Sequence, residues 1–512
     1  MSAVKKRTKQ SFLYRNRFII GYTLLIFAFF SLLSILPNIA PHGLSAAEMD
    51  SVVQASEIKA NFISEGEVVN LPYLLIQKAS ISLLGLSLYS IKLPSIIFAT
   101  FAAFFIILLL NRWFKSDVAV IGSIFTTLST AFLFLAGSGT PAIMYIFWLA
   151  LILWLGSKIV GNRHIHPLLV VSFVIAVALS IYTPHMFYVA LCIALAGLIH
   201  PHLRFSLKQI KTHQLIINIA IATVLLAPLV IACCFKHSVI ADLIFMHDFS
   251  LRAITENIST AFAPFFSFSM AYGSIYLAPL FGLATVALML IGALASVGKL
   301  FTSRNTVVSL LIIFAIIFSG LNPSIAISII MPFAILSSAG IESIIEKWHS
   351  LFPENPYAHA LGTLPVVVVV AMILVSGLSH FINGYRYSPR VANNFNNDIS
   401  YIKDNLDSGS VLIVKAEDRN YSFYKLLEDY NSITVLTELP NRNDLTVAYL
   451  GQSASDDELE LQRIITSPKS RNSDRLYIYH KITKEKSGEH TDGSSDGSDE
   501  NAESGAQAPE GT

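Results

Sequence analysis

The amino-acid sequence predicts a helical protein that crosses a membrane many times and carries a small α/β domain after its last span. Two observations lead to this prediction. The 512 residues are 54% hydrophobic and only 13% charged, whereas soluble domains are about 25% charged. The apolar residues also come in long runs, most of them close to the ~20 residues that a helix needs to cross a bilayer core.

Eleven apolar segments are candidate membrane spans. They lie near residues 18–37, 92–111, 117–136, 142–159, 167–183, 186–200, 215–234, 273–297, 306–320, 324–341 and 362–382. The first follows a basic stretch like that of a signal peptide, but its apolar run is too long for one and no cleavage site is convincing. We therefore interpret it as a retained span.

The loops between these spans predict the orientation. With the basic N-terminus (1–17) in the cytoplasm, every cytoplasmic loop contains Lys or Arg, as the positive-inside rule requires. The short external turns 137–141 and 320–323 contain neither. An odd number of spans then places the chain from about residue 383 onward outside, and we expect a bacterial plasma membrane.

Two external loops, 38–91 and 235–272, are long enough to be functional. Within the first, residues 73–88 are apolar but short, so we expect them to lie in the interface or to re-enter the membrane. The whole region 18–382 is therefore predicted to form one transmembrane domain with two elaborated external loops.

Residues 393–483 have the composition of a small soluble domain. The pattern predicts helices at 398–406, 421–430 and 458–465 and strands at 411–414, 433–436, 447–450 and 476–480. No Gly-rich phosphate loop is present, so a nucleotide site is not expected there. The stretch 487–512 consists mostly of Gly, Ser, Asp and Glu and is predicted to be disordered. All three cysteines, Cys192, Cys233 and Cys234, fall in apolar segments, which does not indicate a disulfide framework.

Four stretches resemble motifs of one enzyme family. They read SAAEMDSVVQASEI (45–58), NLPYLLIQKASISLLGLSLYSIKLPSIIFA (70–99), GSGTPAIMYIFW (137–148) and, more weakly, residues 322–341 with Pro332 and Gly340. In order and spacing they resemble the GT-C-type membrane glycosyltransferases. That family includes the protein O-mannosyltransferases and the aminoarabinose-transferase-like bacterial enzymes, and the likeness covers roughly residues 1–345.

The motifs depart from the family at three places. The family's Asp-Glu pair is Ala47-Glu48 here, and its Thr-Pro-Asp turn is Thr140-Pro141-Ala142. An Arg often found near the start of the late span is absent around Ser324. These positions bear on acceptor activation, metal binding and donor-phosphate binding, respectively.

The resemblance implies transfer of a sugar from a polyprenyl-phosphate-linked donor to a lipid, glycan or protein at the outer face, with inversion of the anomeric centre. Such chemistry needs a base and a group that neutralises the leaving phosphate. Glu48 matches the family's Glu and is the candidate base, and Asp50, on a different face of the same helix, is a candidate replacement for the missing Asp. Lys92 stands where the family has Arg before Leu-Pro-Ser, and it is the candidate for the donor phosphate. Lys236 and Arg252 are the alternatives.

Each of these assignments has a structural alternative. Glu48 also suits a helix N-terminus, where the dipole favours a carboxylate, and Lys92 suits the end of a span, where a lysine reaches the interface. Three further residues near the outer face, His42, Tyr182 and His185, are candidates for substrate binding.

A divalent cation such as Mg²⁺ or Mn²⁺ is a candidate cofactor, with His247 and Asp248 as its weak candidate ligands. The outer histidines match no fixed metal-binding spacing. No nucleic-acid partner is predicted.

Two other functions stay open. A family member without catalysis would act as a binding or assembly factor, and Ala47 and Ala142 favour it. A transporter of lipid-linked sugars would place ionisable groups near the membrane centre and often show internal repeats. The predicted spans are almost free of charge at their centres and no repeat is visible, which disfavours transport.

Overall fold

The computed structural model describes most of the chain outside its two ends. It covers residues 17–40, 43–59, 61–160, 166–244, 251–266, 270–272, 275–277, 283–351, 356–387, 394–415, 418–440, 445–451, 453–454, 458–466 and 475–481. The tail 487–512 and nearly all of the basic N-terminus lie outside these ranges, so the predictions for both stay predictions.

Helices dominate the first 387 residues. In chain order, α1 to α18 are Arg17–Ile39, Ala46–Glu57, Phe62–Glu65, Leu71–Leu84, Leu88–Trp113, Ser116–Thr127, Thr130–Gly137, Ile143–Val160, Pro167–Ser180, Met186–Ile199, Pro201–Lys208, Thr212–Phe235, Ser238–Ile244, Leu251–Phe266, Leu283–Val297, Ser303–Ser319, Ile330–Leu351 and Pro356–Tyr387. A 3₁₀ segment, Pro323–Ile329, leads into α17.

Each of the eleven predicted spans contains an apolar helix. Five of the described helices are long and apolar enough to cross a membrane on their own, and two bent pairs raise this number to seven. Shorter apolar helices or apolar stretches of a helix, of 10–17 residues, occupy the other four predicted spans. The count of eleven spans therefore stays a prediction.

Two predicted spans differ in detail from the helices that form. The third is broken: α6 and α7 meet at an angle of 52°, and Ser129 caps the new helix by accepting a hydrogen bond from the Phe132 N–H. The eighth begins at Leu283 rather than at residue 273, because Met270–Tyr272 (β2) and Ile275–Leu277 (β3) pair as a short antiparallel ribbon. Aromatic and β-branched residues around Gly273 favour that ribbon over a helix.

The described part of the C-terminal region forms a five-stranded mixed sheet. Its strands are Val411–Ile413 (β5), Thr434–Leu436 (β6), Thr446–Leu450 (β7), Leu459–Ile465 (β8) and Leu476–Lys481 (β9), in the order β6-β5-β7-β9-β8. β5 runs parallel to β6 and β7, and β9 runs antiparallel to β7 and β8. Two helices, Asp398–Asn405 (α19) and Tyr421–Asn431 (α20), complete the domain.

One predicted element of this domain is wrong. Residues 458–465 were expected to be a helix, but Leu459–Ile465 is the edge strand β8, paired with β9 across a register shift between Leu461 and Arg463. The shift explains the failed prediction, since an extra residue interrupts the period-2 pattern that identifies a strand.

The C-terminal domain docks on the loop between α1 and α5. Leu44–Ser45 (β1) pairs antiparallel with Phe395–Asn396 (β4), the strand that enters the domain. Apolar side chains from both regions, including Met49, Val52 and Phe423, share one buried cluster. This contact requires the two regions to share one side of a membrane and hence an even number of crossings between them; the prediction of ten spans there meets this requirement and stays a prediction.

A buried hydrogen-bond network joins this docking strand to the domain. The Tyr424 hydroxyl donates to Asp398 Oδ2 at 2.6 Å and accepts from Asn396 Nδ2 at 3.3 Å. Burial, followed by the nearby charge of Asp398, raises the pKa of Tyr424 well above its ordinary value. The phenol thus stays protonated at neutral pH and keeps β4 attached.

The helices α15 and α17 approach each other closely through glycine. A Cβ at Gly292 would lie 1.8 Å from the carbonyl oxygen of Leu336, and one at Gly340 would lie 2.2 Å from that of Leu288. Both obstacles are backbone atoms, which cannot rotate away. The contact therefore depends on both glycines.

We expect Gly340→Ala to destabilise the helical bundle by ~1–3 kcal/mol or more, because the methyl group overpacks a backbone contact. Thermal unfolding of the purified protein in nanodiscs measures this. Gly298→Ala is the control, since a Cβ there has no neighbour within 4 Å. Equal unfolding temperatures for the two variants would contradict the close helix contact.

We expect the domain to lose stability as the pH rises above about 10, the ordinary phenol value. The folded pKa of Tyr424 is raised, so its contribution is complete below the unfolded pKa and declines as the pH passes above it. Tyr424→Phe should be less stable at pH 8 and should decline less steeply up to pH 11. Thermal unfolding across this pH range tests it, and parallel curves would contradict it.

Candidate active site

The first helix of the loop between α1 and α5, α2, begins with a capping box. Ser45 is its N-cap, and its side chain accepts a hydrogen bond from the Glu48 N–H at 3.4 Å. In return, Glu48 Oε2 accepts hydrogen bonds from the Ser45 N–H at 2.7 Å and from the Ser45 hydroxyl at 3.0 Å. Because Ser45 also ends strand β1, the docking of the C-terminal domain and the start of this helix share one residue.

The Glu48 carboxylate lies fully inside the protein. Its Oε1 atom accepts a hydrogen bond from the Gly139 N–H at 2.6 Å and lies 3.6 Å from Lys92 Nζ. Both charged side chains are 0% exposed. Glu48 therefore connects all three early motifs: its own helix, the entry to α5 and the turn before α8.

Gln77 strengthens the same junction. Its side chain accepts a hydrogen bond from the Ser51 hydroxyl at 2.7 Å and donates to the carbonyl oxygens of Gly139, at 3.1 Å, and Ile91, at 3.3 Å. The Gly139 peptide is thus held from both sides, by Glu48 at its N–H and by Gln77 at its carbonyl. A Cβ at Gly139 would lie 2.9 Å from the Ile91 side chain, so this turn requires glycine.

A second polar contact joins the same motifs. The hydroxyl groups of Tyr73 and Ser95 are 2.8 Å apart, and Ser95 also donates to the Thr140 carbonyl oxygen at 3.3 Å. Ala142, where the family has Asp, is buried. The turn 137–141 is therefore held through its backbone groups by the side chains of Glu48, Gln77 and Ser95.

The outward face of α2 contains the open carboxylate of the site. Ala47 is exposed and Asp50 is partly exposed, and residues three apart share a face of a helix. Asp50 therefore lies one turn from the position of the family's missing Asp. Its Oδ2 atom is 3.3 Å from Nη2 of Arg419, in the turn just before α20 in the C-terminal domain.

The predicted donor-phosphate residues lie in three separate environments. Lys92 is fully buried beside Glu48, so its ammonium does not reach a lipid phosphate in this conformation. Lys236 is exposed and donates to the Glu65 carbonyl oxygen at 3.4 Å. Arg252 is exposed and pairs with Glu256, four residues on, at 3.0 Å.

The predicted substrate residues Tyr182 and His185 are buried in a turn. The Tyr182 hydroxyl donates to the Leu225 carbonyl oxygen at 2.7 Å. His185 adopts a positive φ of 66° and packs face to face with Tyr145 at a ring distance of 6.0 Å. His185 also lines a small apolar cleft between α10 and α16. His42 lies outside the described residues.

A metal site stays a prediction. His247 and Asp248, its candidate ligands, lie outside the described residues, and within the described ranges no three His, Cys, Asp or Glu side chains group closely enough to hold an ion.

Sequence reasoning missed two residues of the site, Gln77 and Arg419. A Gln inside an apolar helix could have indicated Gln77, whereas no feature of the sequence indicated Arg419.

Comparison with known proteins identifies the fold. No protein-family model and no curated protein matches the sequence. Among solved structures, the chain is similar to ArnT from Cupriavidus metallidurans, in the apo state and bound to undecaprenyl phosphate. The TM-score is 0.54 and the identity 11%, over 90% of this chain and 98% of ArnT. The chain therefore has the GT-C fold that its motifs predicted, and it is a multi-pass membrane protein.

A lower similarity extends to the oligosaccharyltransferase of Archaeoglobus fulgidus, tethered with an acceptor peptide. The TM-score is 0.46 and the identity 12%, over 81% of this chain and 63% of that one. This value is too low to support a conclusion.

We expect Glu48→Gln to destabilise the protein by about 3–5 kcal/mol, because it leaves the buried Lys92 ammonium without its counter-charge. Thermal unfolding in nanodiscs measures the loss. The double variant Glu48→Gln/Lys92→Met should recover much of it, since both charges are then gone.

The matched control is Glu346→Gln. It breaks the exposed pair with Lys115, at 3.3 Å, and should cost no more than about 1 kcal/mol. If Glu48→Gln were as stable as this control, Glu48 would not hold the junction together.

Proposed function

We propose that this protein is a membrane glycosyltransferase that moves a sugar from a polyprenyl-phosphate-linked donor to a lipid, glycan or protein at the outer face. The fold that it shares with ArnT, solved with undecaprenyl phosphate bound, supports this class of donor. The observation that carries the proposal is the open carboxylate of Asp50. It lies on the face of residue 47, where the first loop meets the C-terminal domain.

In the proposed reaction, an acceptor nucleophile attacks the anomeric carbon from the side opposite the phosphate. The bond from that carbon to the phosphate oxygen breaks, and polyprenyl phosphate leaves with the bonding electrons. The Asp50 carboxylate takes the acceptor's proton as general base. A direct displacement of this kind inverts the anomeric centre.

Glu48 has a different part in this proposal. Its carboxylate already accepts three hydrogen bonds and lies beside Lys92, so it is poorly placed to accept a further proton. We assign it to holding α2 at an angle that presents Asp50. In this proposal Glu48 therefore has a structural role and Asp50 a catalytic one.

The proposed orientation places the N-terminus in the cytoplasm and both external loops outside. The pairing of β1 with β4 supports one part of it, because the first loop and the C-terminal domain share a side. The absence of Lys and Arg from the turns 137–141 and 320–323 supports the other part. The small number of cysteines, three in 512 residues, favours a bacterial plasma membrane.

A second candidate function is a binding or assembly factor that has lost catalysis. Ala47 is exposed where the family has a carboxylate, and Ala142 is buried where it has another. Such a protein would bind a lipid-linked sugar without transferring it. Measuring binding and transfer on the same preparation separates the two functions.

We expect Asp50→Asn to lower sugar transfer at least ~100-fold, the usual contribution of a general base. The assay uses purified protein in nanodiscs with a panel of radiolabelled polyprenyl-phosphate sugars. Ala47→Asp/Asp50→Asn should regain part of the activity, because it places a carboxylate on the same face one turn away.

The matched control is Glu57→Gln, which removes another exposed carboxylate from α2 and should leave transfer unchanged. Donor binding by the wild type without any transfer would instead support the non-catalytic factor. Full activity of Asp50→Asn would exclude Asp50 as the base.

A further inference from the structure

A charged group from the far end of the chain meets the candidate base. Arg419 Nη2 lies 3.3 Å from Asp50 Oδ2, although the two residues are 369 positions apart. The Arg419 side chain is 70% exposed and that of Asp50 48%. Both groups therefore remain open to a molecule that arrives from the outer side.

Arg419 is held at this place by the fold around it. It lies in a turn in which the Asn420 N–H donates to Asp418 Oδ1 at 2.8 Å and the Tyr421 N–H donates to the Asp418 carbonyl oxygen at 3.0 Å. The helix that follows, α20, packs against α2 in the shared apolar cluster. The guanidinium is thus presented to α2 by a structured turn.

The other candidate cations are less suitable as partners of a substrate next to Asp50. Lys92 is buried with Glu48, and Arg252 lies on α14, where its ion pair is with Glu256 and not with Asp50. Lys236 is bonded to the α3 segment at the Glu65 carbonyl oxygen. Among the ion pairs of the described residues, the pair with Arg419 is the one that Asp50 makes.

An exposed ion pair of this kind exchanges partners easily. Its contribution to stability is only about 0–1 kcal/mol, so the phosphate oxygens of an incoming donor displace the carboxylate at little cost. A guanidinium offers two parallel N–H donors that match the oxygen atoms of a phosphate. Arg419 therefore has the chemistry and the access to bind a phosphate in the same site as the candidate base, on the other side of the reacting carbon.

We propose that Arg419 is the donor-phosphate-binding residue of this protein, supplied to the active site by the C-terminal domain. This inference rests on the proposed function and deepens it. When the donor binds, Arg419 moves from Asp50 to the lipid phosphate, and the Asp50 carboxylate is left free to accept the acceptor's proton. No covalent bond changes in this exchange, which prepares both groups for transfer.

The test measures binding of undecaprenyl phosphate to the full-length protein in nanodiscs, with undecaprenol, which lacks the phosphate, as the second probe. We expect Arg419→Ala to weaken binding of the phosphate about tenfold or more, the value of one charge-assisted hydrogen bond. Binding of undecaprenol should not change. Arg419→Lys should fall between the two, because it keeps the charge and loses the paired donors.

Two controls accompany these variants. Arg463→Ala removes another exposed arginine of the same domain, one that bonds to Asn405 at 3.3 Å, and should bind undecaprenyl phosphate like the wild type. Asp50→Asn should bind it at least as tightly as the wild type, because Arg419 then has no competing carboxylate.

The outcomes separate this inference from the proposed function. If the wild type binds undecaprenyl phosphate and Arg419→Ala binds it equally well, the proposed role of Arg419 is excluded. The proposed transferase activity is then judged separately, by the sugar-transfer assay. If the wild type transfers no sugar and does not distinguish undecaprenyl phosphate from undecaprenol, both fail. A loss confined to Arg419→Ala and reduced in Arg419→Lys supports the role.

Discussion

The buried ion pair between Glu48 and Lys92 is the interaction on which the site depends. Burying two charges is costly unless their remaining hydrogen-bond donors and acceptors find partners. The groups around Glu48 provide these partners for its carboxylate. Ser45 and Gly139 donate to Glu48, and Gln77 holds the Gly139 peptide from the other side. These requirements set the positions of the loop helix, the entry to α5 and the turn before α8 relative to one another.

Because one face of α2 is fixed inside the protein, its opposite face can present a reactive side chain. Successive residues of an α-helix turn by ~100°, so Glu48 and Asp50 point to well-separated faces of α2. The Glu48 carboxylate is buried and already hydrogen-bonded, whereas the Asp50 carboxylate is accessible from outside. Position 47 shares the open face, which explains how a chain with Ala47 in place of the family's carboxylate still carries one within a single turn.

The C-terminal domain helps to build the candidate site, because it contacts α2 directly. Its entry strand pairs with the two residues that precede α2, and α20 packs on the helix itself. The Tyr424 network fixes that strand to the body of the domain. Docking of the domain and the orientation of the candidate base are consequently linked, and Arg419 enters the site through the same contact.

The sequence by itself determined the apolar helices, the helix N-terminus near Glu48 and most elements of the C-terminal domain, because hydropathy, helix-end preferences and strand alternation are local properties. It misassigned β8, where a bulge interrupts the alternation, and it extended a span over the β2–β3 ribbon. Only the tertiary structure decided which carboxylate is buried and which is open. It alone brought Gly139 to Glu48 across 91 residues and Arg419 to Asp50 across 369, since contacts between distant segments leave no periodic signal in a single sequence.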